Sequence, residues 1–236
     1  MSAVSQDLSG PKRRRWMGPG FETFGSMFAF VYTFVAGNVL LAVANAPLVF
    51  SLTLVADPAA AWPFFLLLSV TIAPSLAGVF ASFRALNDDA GTVKPVAAFL
   101  QGYKRSFKRT ALLGVIAVAV LLFLGVDLVA VQSMPGAAVL VPLIVVVAAV
   151  SVSLTVTAIA GVVLLPDTGL KSILKAALYM VVQRWYLTLG MLVLLGIIVT
   201  AAVLQPILGV ALAPAPLLFV IWSNASYSFH AALRTP

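Results

Sequence analysis

The sequence contains no cysteine and very little charge. Without cysteine, the 236-residue chain has no disulfide framework, no thiolate nucleophile and no cysteine metal site. Charged residues make up 9% of the chain and hydrophobic residues 62%, whereas a soluble domain usually has about 25% charged residues. The mean hydropathy is +1.12. A soluble fold of this size could not hide so much apolar surface, so the composition predicts an integral membrane protein.

Long segments without charged side chains define the predicted membrane spans. Because about 20 apolar residues cross a bilayer as one helix, these segments accommodate six spans. The predicted fold class is therefore all-α: a polytopic membrane protein of about six transmembrane helices, with residues 21–236 in one domain. We expect the spans near residues 28–55, 62–83, 110–131, 139–165, 186–204 and 207–229.

The basic residues predict the orientation of these spans. All 14 Lys and Arg residues fall before span 1, between spans 2 and 3, between spans 4 and 5, or after span 6. The other connections carry only Asp57 and Asp127. The positive-inside rule then places the basic side and both termini in the cytoplasm, and we expect the bacterial cytoplasmic (inner) membrane. Residues 1–20 are predicted to form a disordered basic tail. We do not expect the start of the chain to be a cleavable signal peptide.

Two predicted cytoplasmic segments have the apolar periodicity of amphipathic helices. The first spans about residues 95–109, begins with a proline suited to the first helical turn and ends in a basic cluster. The second spans about residues 168–184. We expect each to lie along the membrane surface or against a partner, and the first to contact anionic lipid headgroups or a partner protein. The expected contact residues are Phe99, Tyr103, Lys104, Arg105, Phe107, Lys108 and Arg109.

No ionisable residue is predicted to lie deep within a span. The acidic residues map to span ends, loops or the tail, and the single histidine, His230, lies near the predicted cytoplasmic end of span 6. Proton-coupled transport and intramembrane hydrolysis normally require an ionisable group at depth. The sequence also lacks a Walker-type phosphate loop and a metal-ligand cluster. We therefore expect no enzyme activity, no cofactor, no bound metal and no nucleic-acid partner.

The polar side chains inside the spans are amides and hydroxyls. Such groups hydrogen-bond between helices or to their own backbone, and this is the interpretation that we favour. The alternative is that they line a path for a neutral solute. The candidate path residues are Asn38, Asn45, Thr71, Ser75 and Asn224.

The order of these features is similar to that of a known family. The stretch FLQGYKRSFKR at residues 99–109, running into TALLGVI, and the later LKSILKAALYMVVQRW resemble the YesV-like family of bacterial integral membrane proteins of unknown function, DUF624. The resemblance covers most of residues 21–233. Members of that family are often encoded beside carbohydrate ABC transporters, so the resemblance implies a role in sugar uptake.

Two functions therefore remain open at this point. The resemblance implies a non-enzymatic accessory or permease-like subunit of carbohydrate ABC import, with ABC permease subunits as partners. The alternative is an autonomous transporter or channel for a neutral solute. The sequence determines neither the sugar nor the oligomeric state.

Overall fold

The computed structural model describes residues 19–88, 94–132 and 137–234, and the regular elements within these ranges are all helical. The all-α fold class is therefore confirmed. The predicted disordered tail lies almost wholly outside the described residues. The helices are α1 (Pro19–Ala44), α2 (Ala46–Leu54), α3 (Trp62–Leu68), α4 (Ile72–Asp88), α5 (Pro95–Gln132), α6 (Leu140–Leu164), α7 (Leu170–Gln183), α8 (Trp185–Leu204), α9 (Pro206–Leu212) and α10 (Pro214–Arg234), with 3-10 turns at Ser69–Thr71 and Ala137–Val139.

Five helical segments of the described chain are long and apolar enough to cross a membrane, which confirms a polytopic membrane protein. They correspond to the first five predicted spans. The sixth predicted span is divided into α9 and α10. The second half of α10 carries serines, Asn224 and Tyr227, which make it more polar than the other spans. The five segments are Met27–Ala44, Trp62–Asp88, Pro95–Gln132, Leu140–Leu164 and Trp185–Leu204.

Prolines account for the breaks inside the predicted spans. A proline has no N–H group and clashes with the carbonyl one helical turn earlier, so a helix bends or ends there. Pro47 lies at the start of α2, just after the break that follows α1. Pro74 lies shortly after the 3-10 turn that joins α3 to α4, and Pro214 begins α10. Spans 1, 2 and 6 therefore consist of two helical pieces each.

Helices α4 and α5 pack closely because three glycines lie between them. A Cβ atom on Gly78 would lie 2.8 Å from the ring of Phe99, and one on Gly102 would overlap the Cβ of Ala81. A Cβ atom on Gly114 would likewise lie 2.8 Å from the Cβ of Ala73. Small residues allow membrane helices to approach in this way, and close packing is a main source of their association.

The structure differs from the prediction over residues 95–109. This segment is not a separate helix on the membrane surface but the first part of α5, which is continuous for 38 residues. At 1.5 Å per residue, α5 is about 57 Å long and exceeds the roughly 30 Å hydrocarbon core. Helix α5 is continuous because no proline interrupts it after Pro95 and because its first part packs against α4, which extends to Asp88.

Helix α10 lies inside the bundle, against α1, α4, α6 and α8. Near its start, the N–H of Ala215 donates to Asn38 Oδ1 of α1 at 2.7 Å. One turn further, Phe219 packs on Phe30, with ring centroids 5.7 Å apart. Near its end, Phe229 lies beside Gly161 in the last turns of α6. α10 therefore runs antiparallel to α1 through the bundle, which supports a sixth span although its composition is more polar.

Helix α7 agrees with the second predicted amphipathic segment. Ile173, Ala177, Met180 and Val181 form its buried face, and the glycine at position 161 leaves room for Ile173 against α6. The opposite face exposes lysines together with apolar side chains. The exposed residues of this face are Lys171, Leu174, Lys175, Leu178, Tyr179 and Val182.

Candidate functional site

Basic side chains of α4 and α5 converge on the C-terminal end of α6. Arg84 Nη1 donates a hydrogen bond to the carbonyl oxygen of Val163 at 2.8 Å. Arg109 Nη1 donates to the carbonyl oxygens of Pro166 and Thr168 at 2.7 and 3.2 Å. The last carbonyls of a helix have no partner within that helix, and cations are favoured there. Arg84 therefore joins α4 to the last turn of α6, and Arg109 joins α5 to the connection between α6 and α7. We call this region the basic end of the bundle.

Only some of the predicted contact residues on α5 are exposed. Phe99 is 3% exposed, and Tyr103 stacks on it with ring centroids 6.0 Å apart. Phe99 therefore belongs to the core, because the space above Gly78 accommodates its ring. Arg109 is held by the α6–α7 connection, as described above. The residues of the set that remain exposed are Lys104, Arg105, Phe107 and Lys108.

Three of the five candidate path residues form one hydrogen-bonded group between α1 and α4. Asn45 Nδ2 donates to Ser75 Oγ at 2.8 Å and to the carbonyl oxygen of Leu41 at 2.9 Å. Thr71 Oγ1 donates to Asn45 Oδ1, also at 2.8 Å. Ser75 Oγ in turn donates to the carbonyl oxygen of Ile72. Asn45 lies at the break between α1 and α2, and Thr71 lies in the 3-10 turn between α3 and α4, so these side chains join spans 1 and 2 at their breaks.

The other two candidate path residues lie elsewhere. Asn38 is buried and accepts the hydrogen bond from the N–H of Ala215, which has no partner within α10. Asn224 lines a small cavity of about 30 Å³ together with Thr157 and Arg184. The five residues therefore do not share one cavity, and four of them hydrogen-bond within the bundle. This arrangement agrees with the interpretation that we favoured.

Two larger cavities meet at Arg84 and Asp88. One has a volume of about 220 Å³ and lies between α4, α5 and α6, where Arg105 also lines it. The other has a volume of about 160 Å³ and lies between α4, α6 and α10, where Trp222 lines it. Trp222 is 3% exposed, and its Nε1 is buried without a hydrogen-bond partner in the described part of the chain. Buried N–H groups in proteins nearly always have a hydrogen-bond acceptor, so the indole N–H of Trp222 is an exception.

The sequence analysis missed this region. It treated Arg84 only as an orientation signal and did not single out Trp222. The two residues are 138 positions apart in the sequence, and no spacing or motif relates them. Within the described part of the chain, no group of three or more His, Cys, Asp or Glu residues could hold a metal ion.

Comparison with known families gives a match in the first part of the chain. Residues 33–128 match the model of a family described as "Protein of unknown function, DUF624". The chain contains a DUF624 region. The match confirms the resemblance over residues 33–128, from within α1 into α5, and it does not include the stretch LKSILKAALYMVVQRW at residues 170–185. No curated protein and no solved structure matches the chain. The DUF624 region thus includes the α4–α5 pair, Arg84 and Arg105, whereas Trp222 lies outside it.

Proposed function

We propose that this chain is a non-enzymatic subunit of the bacterial cytoplasmic membrane that works by associating with another membrane protein. The resemblance implies that the partner is the permease of a carbohydrate ABC importer. The single observation that carries the proposal is the exposure of α8. Its apolar segment has 6% of its residues buried, whereas the other four candidate spans have 22 to 44% buried.

The exposed side of α8 is suited to another helix. Leu189, Val193 and Ile197 recur along it at helical spacing and are about half exposed or more. A Cβ atom on Gly190 or on Gly196 would meet nothing within 4 Å. Lipid tails are as apolar as these side chains, so membrane helices associate through close packing at small residues. A helix with so little packing inside its own chain can gain that packing from a partner.

The outer face of α7 extends this surface at the level of the basic end. Lys171 and Lys175 alternate there with apolar side chains, and Trp185 and Tyr186 follow at the start of α8. Tryptophan and tyrosine are enriched at membrane interfaces, and lysines favour the cytoplasmic side. These features support a surface that begins at the cytoplasmic interface and continues into the bilayer along α8. They also support the proposed orientation, with the basic end in the cytoplasm.

The alternative, an autonomous transporter or channel, has less support. Of the five candidate path residues, four hydrogen-bond within the bundle, and the larger cavities at Arg84 lie at one end of it. A solute path needs polar groups that remain available to the solute. Uptake of a sugar by the purified protein alone in liposomes would nevertheless establish the alternative.

The proposal can be tested with tryptophan substitutions on α8. Gly190→Trp adds a large side chain in open space, so it should leave the fold intact and block a partner helix. Val146→Trp is the matched control, because Val146 is 58% exposed on α6. From cells that carry the importer, the tagged wild-type and Val146→Trp proteins should recover ABC permease subunits after mild detergent extraction, whereas Gly190→Trp should lose most of them.

Two results would contradict the proposal. The first is failure of the wild-type protein to recover a permease subunit while its thermal unfolding shows that it is folded. The second is equal recovery by all three proteins, which would mean that α8 faces lipid alone. Thermal unfolding of each variant in detergent shows whether any loss of recovery reflects misfolding.

A further inference from the structure

We infer that the cavities around Arg84 form a binding site for a phosphate-type oxyanion, with Arg84 and Arg105 as the charged donors. This site is distinct from the proposed partner surface on α8. The inference rests on three observations: two arginines that line one cavity, hydrogen-bond donors on them that are not firmly engaged, and a buried indole N–H on a residue that lines the adjoining cavity.

The first observation is the shape of the 220 Å³ cavity. Where α4 faces α5 beside the end of α6, the lining residues are small, among them Ala85, Ala98 and Gly102. Because α4 and α5 are closely packed at Gly102, the open volume lies beside the pair, next to the end of α6, and the long side chains of Arg84 and Arg105 line it. Two guanidinium groups beside an open volume are suited to a tetrahedral oxyanion, which arginine binds through paired N–H groups.

The second observation is that both arginines have N–H groups without a hydrogen-bond partner among residues 19–88, 94–132 and 137–234. A guanidinium group carries five N–H donors, and one nitrogen of Arg84 is used by Val163. Arg84 Nε lies 3.7 Å from Asp88 Oδ2, and Arg105 Nη2 lies 3.8 Å from Asp167 Oδ1. Both distances exceed that of a hydrogen bond, and the carboxylate side chains are 68% and 96% exposed. Such ion pairs contribute little, so an oxyanion can replace the carboxylates at small cost.

The third observation is Trp222 on the other side of Arg84. The 160 Å³ cavity shares Arg84 and Asp88 with the first, and Trp222 is one of its lining residues. The Trp222 N–H is buried and has no hydrogen-bond partner among the described residues. An indole N–H can only donate, so the group that completes it must carry an acceptor. The oxygen atoms of a phosphate group meet that requirement. Trp222 therefore points to the same chemistry as the two arginines.

Among the described lining residues of the two cavities, two arginines stand against one carboxylate, that of Asp88, so the charge of the lining favours an anion. The C-terminal end of α6 carries partial negative charge, but Arg84 and Arg109 bind its last carbonyls and those that follow. Lys104 and Lys108 are exposed on the neighbouring face of α5 and add positive potential. The anion can come from a phospholipid headgroup at the membrane surface or from a soluble phosphate ester, since both present the same oxygens.

The site can be tested with the full-length protein and a charge-matched pair of variants. Arg105→Gln removes one charged donor from the cavity, whereas Lys104→Gln removes the same charge from its sequence neighbour, which does not line the cavity. Ala98→Leu fills the cavity without changing charge, and Trp222→Phe removes the indole donor. Arg84 is left unchanged because it also binds α6.

Binding is measured by calorimetric titration of inorganic phosphate into protein in dodecyl maltoside micelles, which contain no phosphate, and by native mass spectrometry of protein from nanodiscs that contain phosphatidylglycerol. We expect Arg105→Gln and Ala98→Leu to weaken binding at least tenfold, Trp222→Phe to weaken it severalfold, and Lys104→Gln to change it less than twofold. Binding of inorganic phosphate identifies a soluble ester as the source, and retention of phosphatidylglycerol alone identifies the lipid. The inference is wrong if the folded wild-type protein binds neither inorganic phosphate nor phosphatidylglycerol. It is also wrong if Lys104→Gln weakens binding as much as Arg105→Gln does. Binding like that of wild type by Arg105→Gln or by Trp222→Phe would contradict it as well.

Discussion

The substitution Gly102→Ala tests the close packing of α4 and α5. The added methyl group would overlap the Cβ of Ala81, and both atoms are fixed to helical backbone. Non-bonded carbon atoms normally stay about 3.5 to 4.0 Å apart, so the two helices would have to separate. Overpacking of this kind typically costs about 1 to 3 kcal/mol, and we expect the free energy of unfolding to fall by about 2 kcal/mol.

The matched control for this prediction is Gly190→Ala. Position 190 has open space around it, and alanine is favoured over glycine in a helix by about 1 kcal/mol, so this variant should be as stable as wild type or more stable. Adding Ala81→Gly to Gly102→Ala removes the clashing methyl group and should restore most of the loss. Unfolding by SDS titration is measured for wild type, Gly102→Ala, Gly190→Ala, Ala81→Gly and the double variant. The packing argument fails if Gly102→Ala is as stable as Gly190→Ala, or if the effects of Ala81→Gly and Gly102→Ala are additive.

Three further predictions concern side chains that the sequence analysis named as candidate contact or path residues. Phe99→Ala should lower the free energy of unfolding by about 3 kcal/mol or more, because the ring is buried, and conservative Phe99→Leu should recover part of this loss in the same SDS titration. Arg109→Gln should lower the free energy of unfolding by roughly 1 kcal/mol and therefore the unfolding temperature in detergent. Lys108→Gln, on the exposed face, should leave the unfolding temperature unchanged. Asn45→Ala should cost roughly 0.6 to 1.7 kcal/mol of unfolding energy but leave partner recovery unchanged, since its hydrogen bonds join helices; lost recovery in a stably folded variant would contradict this role.

The sequence predicted the architecture because apolar run length and charge position are local properties. The first five spans, the all-α class and α7 follow from them directly. The favoured interpretation of the buried amides and hydroxyls also agrees with the structure. Asn45, Thr71 and Ser75 hydrogen-bond between α1 and α4, as polar groups in membrane spans usually do.

The sequence could not show relations between distant segments. The periodicity of residues 95–109 is that of an amphipathic helix, but whether its apolar stripe meets lipid or protein depends on how far α4 extends beside it. Phe99 is buried because glycine stands opposite it at position 78. Arg109 binds carbonyls 57 and 59 residues away, and Arg84 binds one 79 residues away. Contacts of this range leave no periodic signal, and neither does the buried N–H of Trp222.

The account rests on a bundle of six spans with its basic end in the cytoplasm, and cysteine accessibility tests this most directly. The chain has no cysteine, so single cysteines can be introduced without background. In intact cells, an impermeant maleimide should label Asp57→Cys and Gln132→Cys, whereas Gly169→Cys and Thr235→Cys should react only after the membrane is permeabilised. Thr235 lies outside the described residues, but it follows α10 directly. Labelling of Thr235→Cys in intact cells would contradict the account, because α10 would then not return the chain to the cytoplasm.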